Sequence, residues 1–233
     1  MTEQQGRLQD RIAVVTGASR GIGRAVAERF AAEGATVVAV ARTQGALEEL
    51  DDAITASGGP APVLVPLDLR DFDALDRLGG SLFERYQKLD ILVGNAGALG
   101  QLSPMSHIQP DTWSEVMDIN VTANYRLIRS FDPLLRQSDA GRAIFTTSGV
   151  ARSPFAYFGA YAASKAALEH MVKVWAAELR KTSIKANLLD PGVVRTRMRA
   201  HAFPGEDPNP QEAVHPPFPQ NPPPPPQQAA PVP

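Results

Sequence analysis

Tyr161 and Lys165 lie at i and i+4 in the run Tyr161-Ala162-Ala163-Ser164-Lys165. On a helix that spacing puts both on one face, so an ammonium stands near a phenol and favours its phenolate. Such a pair can give a proton to, or take one from, an oxygen whose charge changes during reaction. The sequence has 4 tyrosines and 5 lysines in 233 residues, so the spacing arises by chance in roughly one such sequence in ten. Ser148 adds a hydroxyl at the end of an apolar run, where open α/β sheets hold ligands beyond the carboxyl ends of their strands. A proton donor, a cation that tunes it and a second hydrogen bond are what conversion of a carbonyl to an alcohol requires.

A second constellation lies near the start. Thr16-Gly17-Ala18-Ser19-Arg20-Gly21-Ile22-Gly23 follows the apolar run Ile12–Thr16 and opens an amphipathic pattern with Val26, Ala27 and Phe30 on one side. Strand, glycine turn and helix in that order let the backbone approach a pyrophosphate, with free amides at the helix start supplying positive potential. In such a fold an acid ending the second strand would read the ribose hydroxyl of NAD. Here the position is Ala41, followed by Arg42. Arg42 can grip a 2′-phosphate through its planar fork, with Arg20 as a second cation, so NADP is expected and NAD is the second choice. Two solvated loop arginines are the alternative.

The elements that must position these groups alternate. Ile12–Thr16, Thr36–Ala41, Val63–Leu67, Leu89–Val93, Ala143–Thr147 and Ile184–Leu189 read as buried strands, with helices at about 21–34, 43–57, 71–88, 111–137 and 159–182 between them. The expected fold class is α/β, a doubly wound parallel sheet of Rossmann type with six readable strands in the order 3-2-1-4-5-6.

The glycine spacing resembles that of the classical short-chain dehydrogenase/reductase family. The resemblance covers about residues 8–203 and extends to Asn95-Ala96-Gly97, Asp118-Ile119-Asn120-Val121, Ser148, Tyr161 to Lys165 and Pro191-Gly192-Val193-Val194-Arg195-Thr196. It implies an NADP(H)-dependent oxidoreductase that interconverts a carbonyl and an alcohol by hydride transfer. In that reading Ser148 hydrogen-bonds the substrate oxygen, Tyr161 is the acid/base, Lys165 also holds the nicotinamide ribose, and Asn120 anchors a proton-relay water. Asn120 can equally satisfy backbone groups in its own helix. The implied cofactor contacts are Gly17, Ser19, Arg20, Gly21, Ile22, Gly23, Arg42, Asp68, Asn95, Ala96, Gly97, Tyr161, Lys165, Pro191, Gly192 and Thr196. Asp68 resembles the residue that accepts from the adenine amino group, or it caps the helix beginning near Asp71. Moving a phenol from about 10 to about 7 requires roughly 4 kcal/mol, so the positive charge of the oxidised nicotinamide must assist the lysine. Relatives continue with a lid helix, another helix and a seventh strand; that strand is not identifiable here, which leaves Ile184–Leu189 as a sheet edge. An alternative follows from this: a cofactor-binding module with weak or no catalysis. The 159–182 helix is apolar on more than one face, and in the family the same helix of a second subunit covers it, so a homodimer is expected.

Composition separates two parts. Of the 21 prolines, 13 fall between Pro204 and Pro233, which predicts a domain over 1–203 and a proline-rich disordered tail over 204–233, a candidate segment for partner docking. With 23 basic and 25 acidic residues, no nucleic-acid or membrane surface is indicated. The lack of cysteine, of an apolar leader and of a long apolar run gives a cytoplasmic expectation. His107, His170, His201 and His215 have no metal-like spacing, so no metal is expected. Loops at 97–110, 149–159 and from 193 carry Leu99, Leu102, Met105, Phe155, Phe158, Met198 and Phe203, implying an apolar pocket for a small-molecule carbonyl or alcohol. Tyr157 either lines that pocket or packs ordinarily, and Arg152 is either a contact for an anionic substrate or a solvated charge.

Overall fold

Runs of β-branched and small apolar residues too short for helices pair side by side into one six-stranded parallel sheet. The computed structural model describes residues 6–206. Its strands are β1 (Ile12–Thr16), β2 (Thr36–Ala41), β3 (Val63–Pro66), β4 (Ile91–Gly94), β5 (Arg142–Thr146) and β6 (Lys185–Leu189), in the order 3-2-1-4-5-6. The crossovers are α1 (Gly21–Ala32), α2 (Gln44–Ala56), α3 (Phe72–Tyr86), α4 (Pro110–Met117) with α5 (Ala123–Leu135), and α6 (Gly159–Glu178). A short α7 (Arg197–Ala202) follows β6 and was not legible in the sequence.

Alternating side chains feed two cores. Val14, Val38, Val40 and Leu92 enter one, with Phe131, Phe145 and Trp175; Ala13, Val15, Val37 and Ala39 enter the other, against Ala27, Leu47 and Leu50. Val14 stands opposite Val38 on one side and Leu92 on the other, so the strand order reverses at β1 and opens a crevice between β1 and β4 at their carboxyl ends.

The helix expected over 111–137 runs from Pro110 to Leu135 but changes its winding midway. A π-turn at Asp118–Thr122 lies within it, and its extra residue turns Ile119 and Asn120 inward, where both are buried. Asp71 caps α3 by accepting from the amide of Ala74, 2.9 Å away. At the amino ends of the strands, Asp90 is 1% exposed and accepts from the Ser138 hydroxyl (2.6 Å), the Ile12 amide (3.0 Å) and the Arg11 guanidinium (2.9 Å). Burial pushes its carboxyl up, but these donors and Lys88 outweigh burial and hold it below the ordinary carboxylate range.

The sheet's last strand is thinly covered. β1 and β4 are buried along their whole length, whereas β6 alternates exposed and half-buried residues, and no further strand lies beside it among the described residues. Past the expected boundary at 203, Glu206 forms an ion pair with Arg199 of α7. From residue 207 the expected proline-rich tail lies outside the described residues. No helix among the described residues is long and apolar enough to cross a membrane, and no group of three potential metal ligands occurs among them.

Candidate active site

The crevice at the strand ends is a cavity of about 890 Å³ with two walls. One is the turn after β1. Gly17 and Gly21 have φ of +67° and +56°, which glycine alone adopts without strain. A Cβ on Gly23 would lie 2.2 Å from the carbonyl oxygen of Gly17, so the third glycine is required by close packing rather than by the cavity, whose wall it does not join. The turn is tied to β2 by amides of Gly17 and Ala18 donating to Val40. Asn95 braces it from β4, donating to the Thr16 carbonyl at 3.0 Å, and the Thr16 hydroxyl accepts from the amides of Asn95 and Ala96. A backbone cradle with no room for side chains at Gly17 and Gly23 fits a pyrophosphate.

Ser19, Arg20, Ile22 and Arg42 line this wall with Ala96 and Gly97. Neither Arg20 nor Arg42 has an ion-pair partner among the described residues. Asp68 is not on the wall: it pairs with Arg70 at 2.9 Å, while Leu67 and Leu69 line the cavity there. Asp71, not Asp68, caps α3.

The opposite wall gathers Ser148, Tyr161 and Lys165. Ser148 follows β5 in an extended conformation and hydrogen-bonds Tyr161. Lys165 is 2% exposed. Its Nζ donates to the Thr146 carbonyl at 2.7 Å and lies 5.7 Å from the Tyr161 ring centre. Burial pushes the phenol of Tyr161 up to about 12, the charge of Asp190 adding to the rise and the Ser148 hydrogen bond opposing it. Burial likewise lowers Lys165 to about 8. Desolvation therefore dominates, and the phenol is a neutral acid at physiological pH.

Asn120 lies just behind the wall. Its Oδ1 accepts from the Ala98 amide, and its Nδ2 donates to the Ala98 carbonyl and to Ser164, all within 2.9 Å. The side chain is thus fully used in fixing the 97–98 segment, and a Cβ on Gly97 would come 3.2 Å from its Oδ1.

Pro191, Gly192 and Thr196 complete the rim. Gly192 has φ of +65°. The Thr196 oxygen accepts from the Arg199 amide as the cap of α7. The mouth is apolar: Leu99, Val150 and Phe158 are buried together against Leu102, Phe155, Met198 and Phe203. Phe155 and Phe158 meet edge to face at 5.1 Å, and Phe203 stacks on Phe158 at 5.9 Å. Tyr157 neither lines the cavity nor packs; it is 60% exposed at φ of +73°. Arg152 is 57% exposed, and it pairs with Asp190 and Glu169 rather than standing as a lone surface charge. Sequence reading missed Asp190 and Glu169. The i+4 step from Lys165 to Glu169 was a visible signal, whereas nothing local marked Asp190.

Comparison with known proteins agrees with this geometry. The family model described as short chain dehydrogenase matches residues 11–207. The uncharacterized oxidoreductase YciK of Escherichia coli (strain K12) is 42% identical over 207 residues, spanning 88% of this chain and 82% of that protein. A short chain dehydrogenase from Shigella flexneri 2a str. 301, solved in complex with NADP, superposes with a TM-score of 0.84 at 43% identity, covering 88% of this chain and 86% of the other. One from Escherichia coli CFT073, complexed with NADPH, gives a TM-score of 0.84 at 42% identity, with the same coverage of 88% and 86%.

Proposed function

The chain belongs to the short-chain dehydrogenase family of oxidoreductases, and from that premise we propose that it uses NADP(H) to interconvert a small carbonyl compound and an alcohol. The observation that carries the proposal is the convergence of Ser148, Tyr161 and Lys165 on one cavity whose far wall is the glycine cradle. NADPH, when bound, supplies the hydride. The chain's own groups handle the oxygen. The Ser148 hydroxyl donates to the carbonyl oxygen and orients it, and the Tyr161 phenol delivers the proton that the developing alkoxide takes up. A phenol near 12 is protonated at neutral pH, the form reduction needs. Lys165, fixed by the Thr146 carbonyl, keeps an ammonium beside the phenol and is the group that would meet the nicotinamide ribose. Asn120 supports the site by fixing the 97–98 segment and by bonding Ser164 on the helix of Tyr161.

The remaining cofactor contacts follow the same reading. Gly17, Ser19, Gly21 and Ile22 cradle the pyrophosphate, Arg20 and Arg42 hold a 2′-phosphate, and Pro191, Gly192 and Thr196 meet the nicotinamide end. Relatives solved with NADP and NADPH support the choice of cofactor. The apolar mouth of Phe155, Phe158 and Phe203 favours a carbonyl carried on an apolar body. Exposure of Tyr125 on α5 and Val174 on α6, at 49% and 47%, supports a homodimer through these helices; a monomer by light scattering at micromolar concentration would overturn it.

NADPH oxidation across a panel of apolar ketones and aldehydes tests the reaction. Tyr161→Phe should retain NADPH binding and lose roughly a hundred- to ten-thousandfold in turnover; unchanged turnover would refute the assigned role. The exposed β6 edge favours a second reading, a cofactor-binding module with weak catalysis. NADPH binding with no turnover on any carbonyl would select it.

A further inference from the structure

Beside the acid/base tyrosine stands a carboxylate whose partner comes from another loop. Asp190 follows β6 and shares the cavity wall with Ser148 and Tyr161. Its Oδ1 accepts from the Gly192 amide at 3.1 Å, shaping the Pro191-Gly192 turn, and its Oδ2 lies 2.5 Å from Nη2 of Arg152. The same guanidinium approaches Glu169 of α6, Nε to Oε1, at 3.5 Å. Glu169 is 5% exposed, accepts from the Thr147 hydroxyl at 3.0 Å and pairs with Lys173 at 2.9 Å. One arginine therefore joins the loop after β5, the end of β6 and the helix that carries Tyr161 and Lys165. The backbone repeats the link, the Thr147 amide donating to the Leu189 carbonyl at 2.8 Å.

We propose that the Arg152–Asp190 pair is a positioning device for Tyr161, with Asp190 and Arg152 acting in opposite directions on the pH range over which that phenol exchanges its proton. The inference rests on the reading of Tyr161 as the acid/base. A half-exposed ion pair adds little stability, so a purely structural clasp is a weak account of it. A carboxylate lining the same cavity as a desolvated phenol is a different matter, because a buried phenol is poorly screened from its field. Other charged groups on the cavity wall are Lys165 from α6, Glu115 from α4, Arg20 and Arg42 from the nucleotide side, and Arg195, Arg197, Arg199 and His201 from the last segment. Among them the Lys165 ammonium, 5.7 Å from the Tyr161 ring centre, favours ionisation of the phenol, and Asp190 opposes it. Arg152 neutralises that charge in part, and Glu169 holds Arg152 in place.

The experiment reads two variants of one pair. Tyrosinate absorbance of the NADP complex is titrated against pH, with Tyr161→Phe as the blank, alongside the pH profile of alcohol oxidation. Asp190→Asn should move the Tyr161 transition toward lower pH by about half a unit, and Arg152→Met should move it toward higher pH by a similar amount. In the Asp190→Asn background, Arg152→Met should add nothing. A structural clasp predicts the reverse pattern, since breaking it from either side shifts both variants the same way or lowers only turnover. Equal-sign shifts, or none, overturn the inference. Asp190→Glu and Arg152→Lys retain the charges and should keep the parent transition, which secures the result if a first variant folds poorly. Absence of NADPH binding, or parent turnover in Tyr161→Phe, brings down the underlying reading instead, an outcome separate from the pattern of shifts.

Discussion

Asp90 and Asp190 lie at opposite ends of the same sheet, and both pair with arginine. Asp90, near the amino ends of β1, β4 and β5, is 1% exposed and accepts from four donors. The Asp190 side chain, at the carboxyl ends, is 30% exposed beside an arginine that is 57% exposed. The comparison teaches that burial, not the chemistry of the pair, decides what a carboxylate does. A buried acid with every lone pair satisfied is a bolt, and its loss leaves orphaned donors. An acid left at the rim of a cavity contributes little to folding and retains a field that reaches the reacting groups.

The largest test of this contrast is Asp90→Ala. Removing the acceptor leaves the Ser138 hydroxyl and the Ile12 amide without their partner, while Arg11 keeps Asp139, and stability should fall by about 2–4 kcal/mol in denaturant unfolding. The pH dependence has a definite sign. Because Asp90 is held below its ordinary value in the folded state, its contribution is present above the unfolded value of about 4 and disappears as pH falls through the lower folded value. Acid unfolding of the parent protein should therefore steepen below pH about 4, and the variant should have lost that component. Asp190→Asn should change stability by less than about 1 kcal/mol. A loss as large as that of Asp90→Ala would break the comparison.

A smaller effect separates the two walls of the cavity. Arg42 is exposed on the nucleotide side and has no ion-pair partner among the described residues, so Arg42→Ala should leave folding unchanged. It should weaken NADPH binding by roughly ten- to a hundredfold while sparing NADH, as removal of one charge-assisted phosphate contact predicts. Fluorescence titration with the two cofactors checks it. Equal weakening of both would mean that Arg42 holds the adenosine generally.

Much of this was readable from residue spacing. The glycine turn, Tyr161 with Lys165 and Ser148 are local patterns, and the strand order follows from alternating elements with right-handed crossovers. What spacing could not reveal depends on neighbours across the sheet. Arg152 and Asp190 are 38 residues apart and meet because β5 and β6 pair, so Arg152 alone gave no sign of its partner. The π-turn at Asp118–Thr122 adds one residue within a helical period, too small a slip for hydrophobic periodicity to register. Asp68 and Asp71 both sit where a helix cap belongs, and only the backbone path decides that Asp71 takes the role.

The smallest expected effect concerns the thin edge itself. Leu189 is 43% exposed on β6, while Val14 on β1 is fully buried. Val14→Ala should cost about 2 kcal/mol, because a packed core cannot collapse around the missing methyl groups. Leu189→Lys removes an exposed apolar group and keeps the backbone hydrogen bond from Thr147 to its carbonyl, so stability should change by no more than about 0.5 kcal/mol. A lysine on an edge strand also discourages pairing with another chain. If β6 is a bare edge, Leu189→Lys should leave the denaturant midpoint and the scattering mass as they were. A drop in either would show that a second copy, or residues beyond 206, covers this strand in solution, and the two ends of the sheet would then be less different in burial than the described residues make them.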